Sequence, residues 1–349
     1  MITVTKLTRH YSYHLPLWIC FILMSASIAS ANCLVFPQNE RLTNFCILSK
    51  VDGQRVDAQT ANVVIQRLQR EGYFGGLSSA QFETQVYPTF SYSNNINGGN
   101  PDKKLKLGNL EFDGQPELVA KEGVVGSLNF AASSRTTIGE GRYIDANAAL
   151  SLSYSPEHAL SFTNTNIRLC SKNKIDKNTH IDLCASTISQ NKDINRDQTN
   201  SLSASWGKML YLENIGFNEA KLGITRVSTE DFEQSQFHLS VDTIHDRNLF
   251  SSMSMKFGEP IEGSLALKYG IGLQLSGVVR NHKVTLNLNH EYSNGGRLLG
   301  VERDDKVTTV SLSTQLSRGT SITLGYKSSN SSIDYFDQYY PIISLTQKW

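Results

Sequence analysis

The chain has 349 residues, with 33 Lys plus Arg against 32 Asp plus Glu, a formal charge of +1, and 39% apolar residues. That balance excludes a basic nucleic-acid surface or an acidic tail as the organising theme, and the low apolar fraction excludes a bundle of membrane helices. With 25 Gly, 14 Tyr and 15 Phe beside many Ser, Thr and Asn, the composition favours strands and turns and disfavours an α/β cofactor enzyme.

Residues 1–31 carry Lys6 and Arg9 without an acid, then the apolar run Leu15 to Met24, then Ala29, Ser30 and Ala31. This order predicts a secretory signal peptide cleaved before Asn32, because the run is shorter than the roughly 20 residues a spanning helix needs. Export implies an oxidising compartment. Cys20 leaves with the signal, and Cys33, Cys46, Cys170 and Cys184 remain as an even set of disulfide candidates. Three pairings are open. The local one, Cys33 with Cys46 and Cys170 with Cys184, is favoured because each pair brackets a short polar stretch. No Cys or His stands at the C-x2-C spacing of a zinc site.

Residues 32–80 read as a short periplasmic segment: a Cys-bracketed loop, then one helix from Asp57 as N-cap to about Glu71, closed by Gly72. Ala61, Val64, Ile65 and Leu68 give that helix a narrow apolar stripe, which predicts packing on a neighbour. Gly75, Gly76, Ser78 and Ser79 read as a linker.

From Gln81 onward the period is two. Ile144, Ala146, Ala148, Leu150, Leu152 and Tyr154 oppose Tyr143, Asp145, Asn147, Ala149, Ser151 and Ser153, and Val284, Leu286 and Leu288 oppose Thr285, Asn287 and Asn289. The pattern places fourteen strands, at about 84–93, 123–134, 141–154, 159–171, 180–190, 199–212, 217–228, 234–245, 248–258, 266–279, 283–294, 305–317, 320–328 and 338–349. Tight connections at Asp246–Arg247, Arg280–His282 and Arg318–Gly319 contrast with long ones at Asn94–Glu122, Gly295–Asp304 and Ser329–Asp337. An even strand count, with short turns on one rim and long loops on the other, predicts a closed sheet in a thin bilayer. In hydrocarbon every backbone amide must find a partner, and closure removes the unpaired edge. The fold expected is therefore all-β: a transmembrane antiparallel up-and-down β-barrel of about fourteen strands over 81–349, with a short helical preface. A secreted β-sandwich or β-helix is the soluble rival. It would carry more Lys and Glu on its outer face than this Ser-, Thr- and Asn-rich row does.

Ile343, Leu345 and Trp349 share one face of a strand that ends on an aromatic. This ending resembles the last strand that the outer-membrane assembly machinery recognises in bacterial barrels, with Gln347 interrupting the apolar row. Tyr92 and the Asn94, Asn95, Ile96, Asn97 run resemble the start of the barrel in surface lipoprotein assembly modifiers. That resemblance implies a fourteen-stranded outer-membrane barrel that moves lipoproteins to the cell surface, although the helical-repeat domain of the family is missing here.

No H-E-x-x-H, G-x-S-x-G or phosphate-cradling glycine loop occurs. Two constellations bear on lipid hydrolysis. His290 and Ser293 resemble the His-x-Ser-Asn stretch of outer-membrane lipid A deacylases and phospholipases, but at a spacing of three they fall on opposite strand faces unless a bulge intervenes. His238, Ser240 and Asp242 share the polar face, yet residues two apart on a strand lie about 6–7 Å apart, so they read as lumen wall before triad. Lys268 and Glu291 are further lumen-facing candidates. The mixture of signs argues against a strongly ion-selective pore. The segment Asn94–Glu122 is either a surface loop or one that folds back to constrict the pore.

The expectation is transport or translocation across the outer membrane, with a lipid-modifying hydrolase or a structural or adhesive barrel as alternatives. No cofactor, metal or nucleic acid is expected. The expected partners are outer-membrane lipid, the barrel assembly machinery, and either small polar solutes or a translocated protein.

Overall fold

A strand that alternates apolar and polar side chains meets lipid on one face and water on the other, provided its backbone amides pair on both sides. The computed structural model, which describes Cys33, 39–51, 58–73, 80–107, 110–245, 248–317 and 319–348, meets that condition by closing. Strands β1 (Ala80–Ser93) and β4 (Gly123–Gly139) through β16 (Gln338–Gln347) form one closed antiparallel barrel of fourteen strands, each beside its sequence neighbour. The two remaining strands, β2 (Lys104–Leu107) and β3 (Leu110–Asp113), make a separate hairpin inside the long β1–β4 connection. The leader, the linker Gly75–Ser79, Asp57 and Trp349 lie outside the described residues.

The outer face carries exposed apolar side chains on alternate positions of every barrel strand, such as Phe82, Phe90, Leu202, Ile224, Leu324 and Leu345. The opposite positions are polar and pair across strands: Ser127 with Ser153 at 2.8 Å, Ser186 with Ser201 at 2.8 Å, Ser276 with Thr285 at 3.0 Å, and Ser313 with Thr323 at 2.9 Å. These hydroxyl rungs suit a wet lumen and leave the apolar face to hydrocarbon. No helix among the described residues is long and apolar enough to cross a membrane; the crossing is made by strands.

Turn chemistry fixes the register. Arg280 and Asn281 both take positive φ, 48° and 66°, in a two-residue turn between β12 (Ala266–Val279) and β13 (His282–Leu298). The expected long loop Gly295–Asp304 is corrected: β13 and β14 (Val301–Gln315) run on and meet at the two-residue turn Leu299–Gly300. Beyond the apolar belt the strand needs no alternation, so its polar sequence there reads as loop.

Both disulfides form as the local pairs, Cys33 with Cys46 and Cys170 with Cys184. The second is a rung between opposed residues of β6 (Leu160–Lys174) and β7 (Thr179–Asn191), within strands rather than beneath a loop.

Two helices precede the barrel where one was expected, α1 (Glu40–Val51) and α2 (Ala58–Arg70). The first occupies the stretch read as a Cys-bracketed loop. The second ends at Gly72, whose φ of 91° supplies the left-handed turn, with Gly72 and Tyr73 N–H groups donating back to Gln69 and Leu68. The sequence placed this segment outside the barrel; the structure seats α1 within the lumen at the short-turn rim.

Candidate functional site: the plugged lumen

Asn39 starts the plug. Its Oδ1 accepts from the Leu42 N–H at 3.0 Å, which makes it the N-cap of α1. Its Nδ2 donates outward to Glu219 on β9 (Gly216–Ser228) and to Asp242 on β10 (Glu233–His245), the latter at 2.7 Å. The positive end of the helix dipole therefore points at two wall carboxylates. The next two residues reach other strands: Glu40 to Arg135 of β4 at 2.9 Å, and Arg41 to Asp182 of β7 at 2.7 Å. Three successive residues thus tie α1 to β4, β7, β9 and β10.

The wall answers with charges of its own. Asp182 also takes Lys172 at 2.7 Å; Glu219 takes Lys221 at 2.8 Å and lies 3.0 Å from His180; Arg135 reaches Asp145 at 2.6 Å. The Arg135 guanidinium stacks over Tyr143, 4.2 Å from the ring centroid, with Arg41 over the same ring. His180 lies flat on β8 (Arg196–Leu212), where its register partner is Gly207. A Cβ on that glycine would meet His180 Nε2 at 2.3 Å, so only Gly lets the ring reach Glu219.

Beneath this polar layer is an apolar seat. Leu42, Cys46, Ile47 and Cys33 pack on Phe217, Ile244 and Phe250, with Phe45 edge-on to Phe217 at 5.9 Å. These three wall residues share the inward rows of their strands with the polar residues Glu219, Asp242 and Ser252. α2 clips the rim: the Gly141 N–H donates to the Glu71 carbonyl at 2.8 Å and Lys174 Nζ to the Tyr73 hydroxyl at 2.6 Å. Burial holds the Glu71 carboxyl above its ordinary pKa, against the 2.5 Å bond that Asn44 gives it. A cavity of about 720 Å³ remains between the helices and the wall, lined by Arg41, Phe45, Glu71, Lys174 and His180 among others.

The opposite mouth is crossed by the β1–β4 connection. Ile96 and Asn97 are buried. The Asn97 carbonyl accepts from the Ile194 N–H at 2.8 Å, and the Asn95 carbonyl from Lys192 Nζ at 2.7 Å, both in the β7–β8 turn. The β2–β3 hairpin, closed by Lys104 and Glu111 at 2.5 Å, packs on the turn Asp334–Phe336 before β16. Lys104 holds the Glu111 carboxyl below its usual range by that hydrogen bond. The constricting alternative of the sequence reading matches this arrangement.

No protein-family model matches the chain, and no curated protein does. Solved barrels do. The outer membrane channel DcaP of Acinetobacter baumannii is similar over 78% of this chain and 98% of its own, at 8% identity and a TM-score of 0.45. OmpF of Salmonella typhi in complex with daunomycin is similar over 79% and 99%, at 6% identity and 0.45. OprB of Pseudomonas putida is similar over 82% and 96%, at 7% identity and 0.43. At these scores the likeness carries no conclusion about cargo.

His238, Ser240 and Asp242 share the inward face of β10; Asp242 holds the plug through Asn39, and the His238 ring lies over Gly223 of β9. Glu291 faces inward opposite Gly270. Lys268 departs from its expected place: a bulge between Leu267 and Tyr269 takes it out of the alternation, and its Nζ lies 5.5 Å from the centroid of Tyr292, a ring on the outer face. Tyr292 stacks with Tyr269, and His290 bonds Thr308 at 2.9 Å, so His290 makes an outer-face contact and not a nucleophile–base pair with Ser293. Ile343 and Leu345 point outward on β16.

Proposed function

We propose that the protein is an outer-membrane transport barrel whose lumen is gated by its own N-terminal helices. The observation that carries this reading is the way α1 is held: a hydroxyl-lined channel is filled at one end by a plug tied chiefly by ion pairs and hydrogen bonds to four strands. On release the polar contacts are exchanged for water, so the apolar surface that becomes bare is confined to the seat of Leu42, Cys46 and Ile47 on Phe217, Ile244 and Phe250. Small polar solutes fit the Ser, Thr and Asn wall. The resemblance of the β1 end to assembly modifiers adds surface-protein export as the larger-cargo form, for which the whole plug must leave. The apolar belt suits outer-membrane lipid, and the final strand suits capture by the assembly machinery.

Planar-bilayer recording tests this. The wild type should show long closures, and Arg41→Ala should raise the open probability; a barrel that never conducts in either form would refute transport.

One observation favours a second reading, lipid hydrolysis. His245 Nε2 and Ser251 Oγ lie 2.8 Å apart on outward positions at the short-turn rim, the reach a base needs to activate a nucleophile. Lipase assays of His245→Ala against wild type decide it.

A further inference from the structure

The barrel closes on a seam unlike its other ladders. β1 pairs with β4 along fourteen residues, Ala80 to Ser93, but with β16 through three: Thr89 with Thr346, Phe90 with Leu345, and Ser91 with Ser344. Below this ladder Phe82–Val86 are exposed on both faces of β1, while of their five partners on β4 Phe130 alone is exposed. Proline is tolerated in sheets chiefly at edges, because it has no N–H to give. Among the described residues the strand prolines are Pro88 and Pro341, one on each strand of this seam. Two abutting edges, each marked by a proline, meet in the one place where the ring of strands is joined.

What holds the seam is light. Thr89 and Thr346 hydroxyls touch at 3.3 Å, Lys348 Nζ lies 5.0 Å from the centroid of Tyr87, and Asn94 donates to Gln338 at 3.0 Å on the loop rim. Phe82 and Val86 face outward on the stretch of β1 that has no β16 ladder partner among the described residues, which puts that edge at the depth of the apolar belt, where hydrocarbon gives an unpaired amide no partner. Both axial routes are meanwhile obstructed, by α1 at one rim and the β1–β4 connection at the other.

We propose that the β1–β16 seam is a lateral gate, parting within the membrane to pass an amphiphile whose polar head lies in the lumen and whose apolar chain lies in the bilayer. Hydroxyls line the inner side of the seam at Thr89, Ser91, Ser344 and Thr346, and Phe90 and Leu345 line the outer side. The gate is a sideways path that goes beyond the axial transport reading and stands on the geometry of the seam.

The test reads opening directly, apart from conductance. In bilayer nanodiscs, spin labels on Phe90→Cys and Leu345→Cys should give two distance populations. Labels on the control pair Leu288→Cys and Val310→Cys, register partners on β13 and β14, should give one. Lysophosphatidylcholine should enlarge the longer population. Hydrogen exchange on the unaltered protein should be at least about tenfold faster at Thr89–Ser91 and Ser344–Thr346 than at Leu286–Leu288. A single narrow distance with equal protection would overturn the gate, and a second population indifferent to the lysolipid would overturn the cargo. Seam opening in a barrel that never conducts would remove the axial reading and leave the gate standing.

Discussion

Asn39 caps α1 with its side-chain oxygen while its amide nitrogen donates to Asp242 at 2.7 Å. Asp is as good an N-cap as Asn, yet at this position it would set a third carboxylate against Glu219 and Asp242. Asn39→Asp should therefore keep the helix and loosen the plug, whereas Asn39→Ala loses both the cap, worth about 1 kcal/mol, and the donor. Limited proteolysis of the segment before β1 in the folded barrel should be faster for both variants than for wild type, with an unchanged heat-modifiable gel shift.

Gly207→Ala places a Cβ 2.3 Å from His180 Nε2 and must drive the ring off Glu219. The expected loss is about 1–3 kcal/mol, the usual range for forced overpacking. Gly277→Ala, whose nearest contact would be 3.7 Å, serves as control and should unfold in detergent at the wild-type temperature.

Leu42→Ala removes a fully buried side chain from the seat formed by Phe217, Ile244 and Phe250. About 2–5 kcal/mol of docking free energy should go with it. Because the barrel ladder does not depend on Leu42, thermal melting of the strands should hardly move while protease reaches α1 sooner.

Glu71 gives a pH dependence of stated sign. Its pKa is raised in the docked state by burial. Its contribution to docking is thus fully present below the free carboxyl value of about 4.3 and is lost as pH rises through the higher docked value. From this group the plug holds more tightly in acid than at neutral pH. Glu71→Gln should remove that component; Asp182 and Glu219 titrate in both proteins and cancel in the comparison. Protease accessibility measured from about pH 4 to 7 should show the two curves converging in acid and separating as pH rises.

The strands were legible because lipid imposes a strict rule on alternate positions: the expected strand 199–212 lies within Arg196–Leu212, and 234–245 within Glu233–His245. Where lipid ends, so does the rule, and β13 and β14 were cut short at Gly295 and Asp304 for that reason. The helix α1 was missed because its surroundings are the polar lumen. Asn39, Glu40, Arg41, Thr43 and Asn44 are its working residues, and no apolar stripe announces them. A signal was nonetheless present on the other partner. Phe217, Ile244 and Phe250 stand at inward positions beside Glu219, Asp242 and Ser252, which marks a lumen wall covered by something. Lys268 was misplaced because a bulge shifts the face without changing the local composition.

Single-channel recording of the wild type against Arg41→Ala asks whether α1 closes the lumen through its polar ties to the wall. Arg41→Ala deprives Asp182 of a charged hydrogen bond worth about 1.5–3 kcal/mol and leaves it Lys172 alone, so the open population should rise by roughly tenfold or more. A wild-type barrel that stands open at low voltage, with a conductance the substitution leaves unchanged, would contradict it.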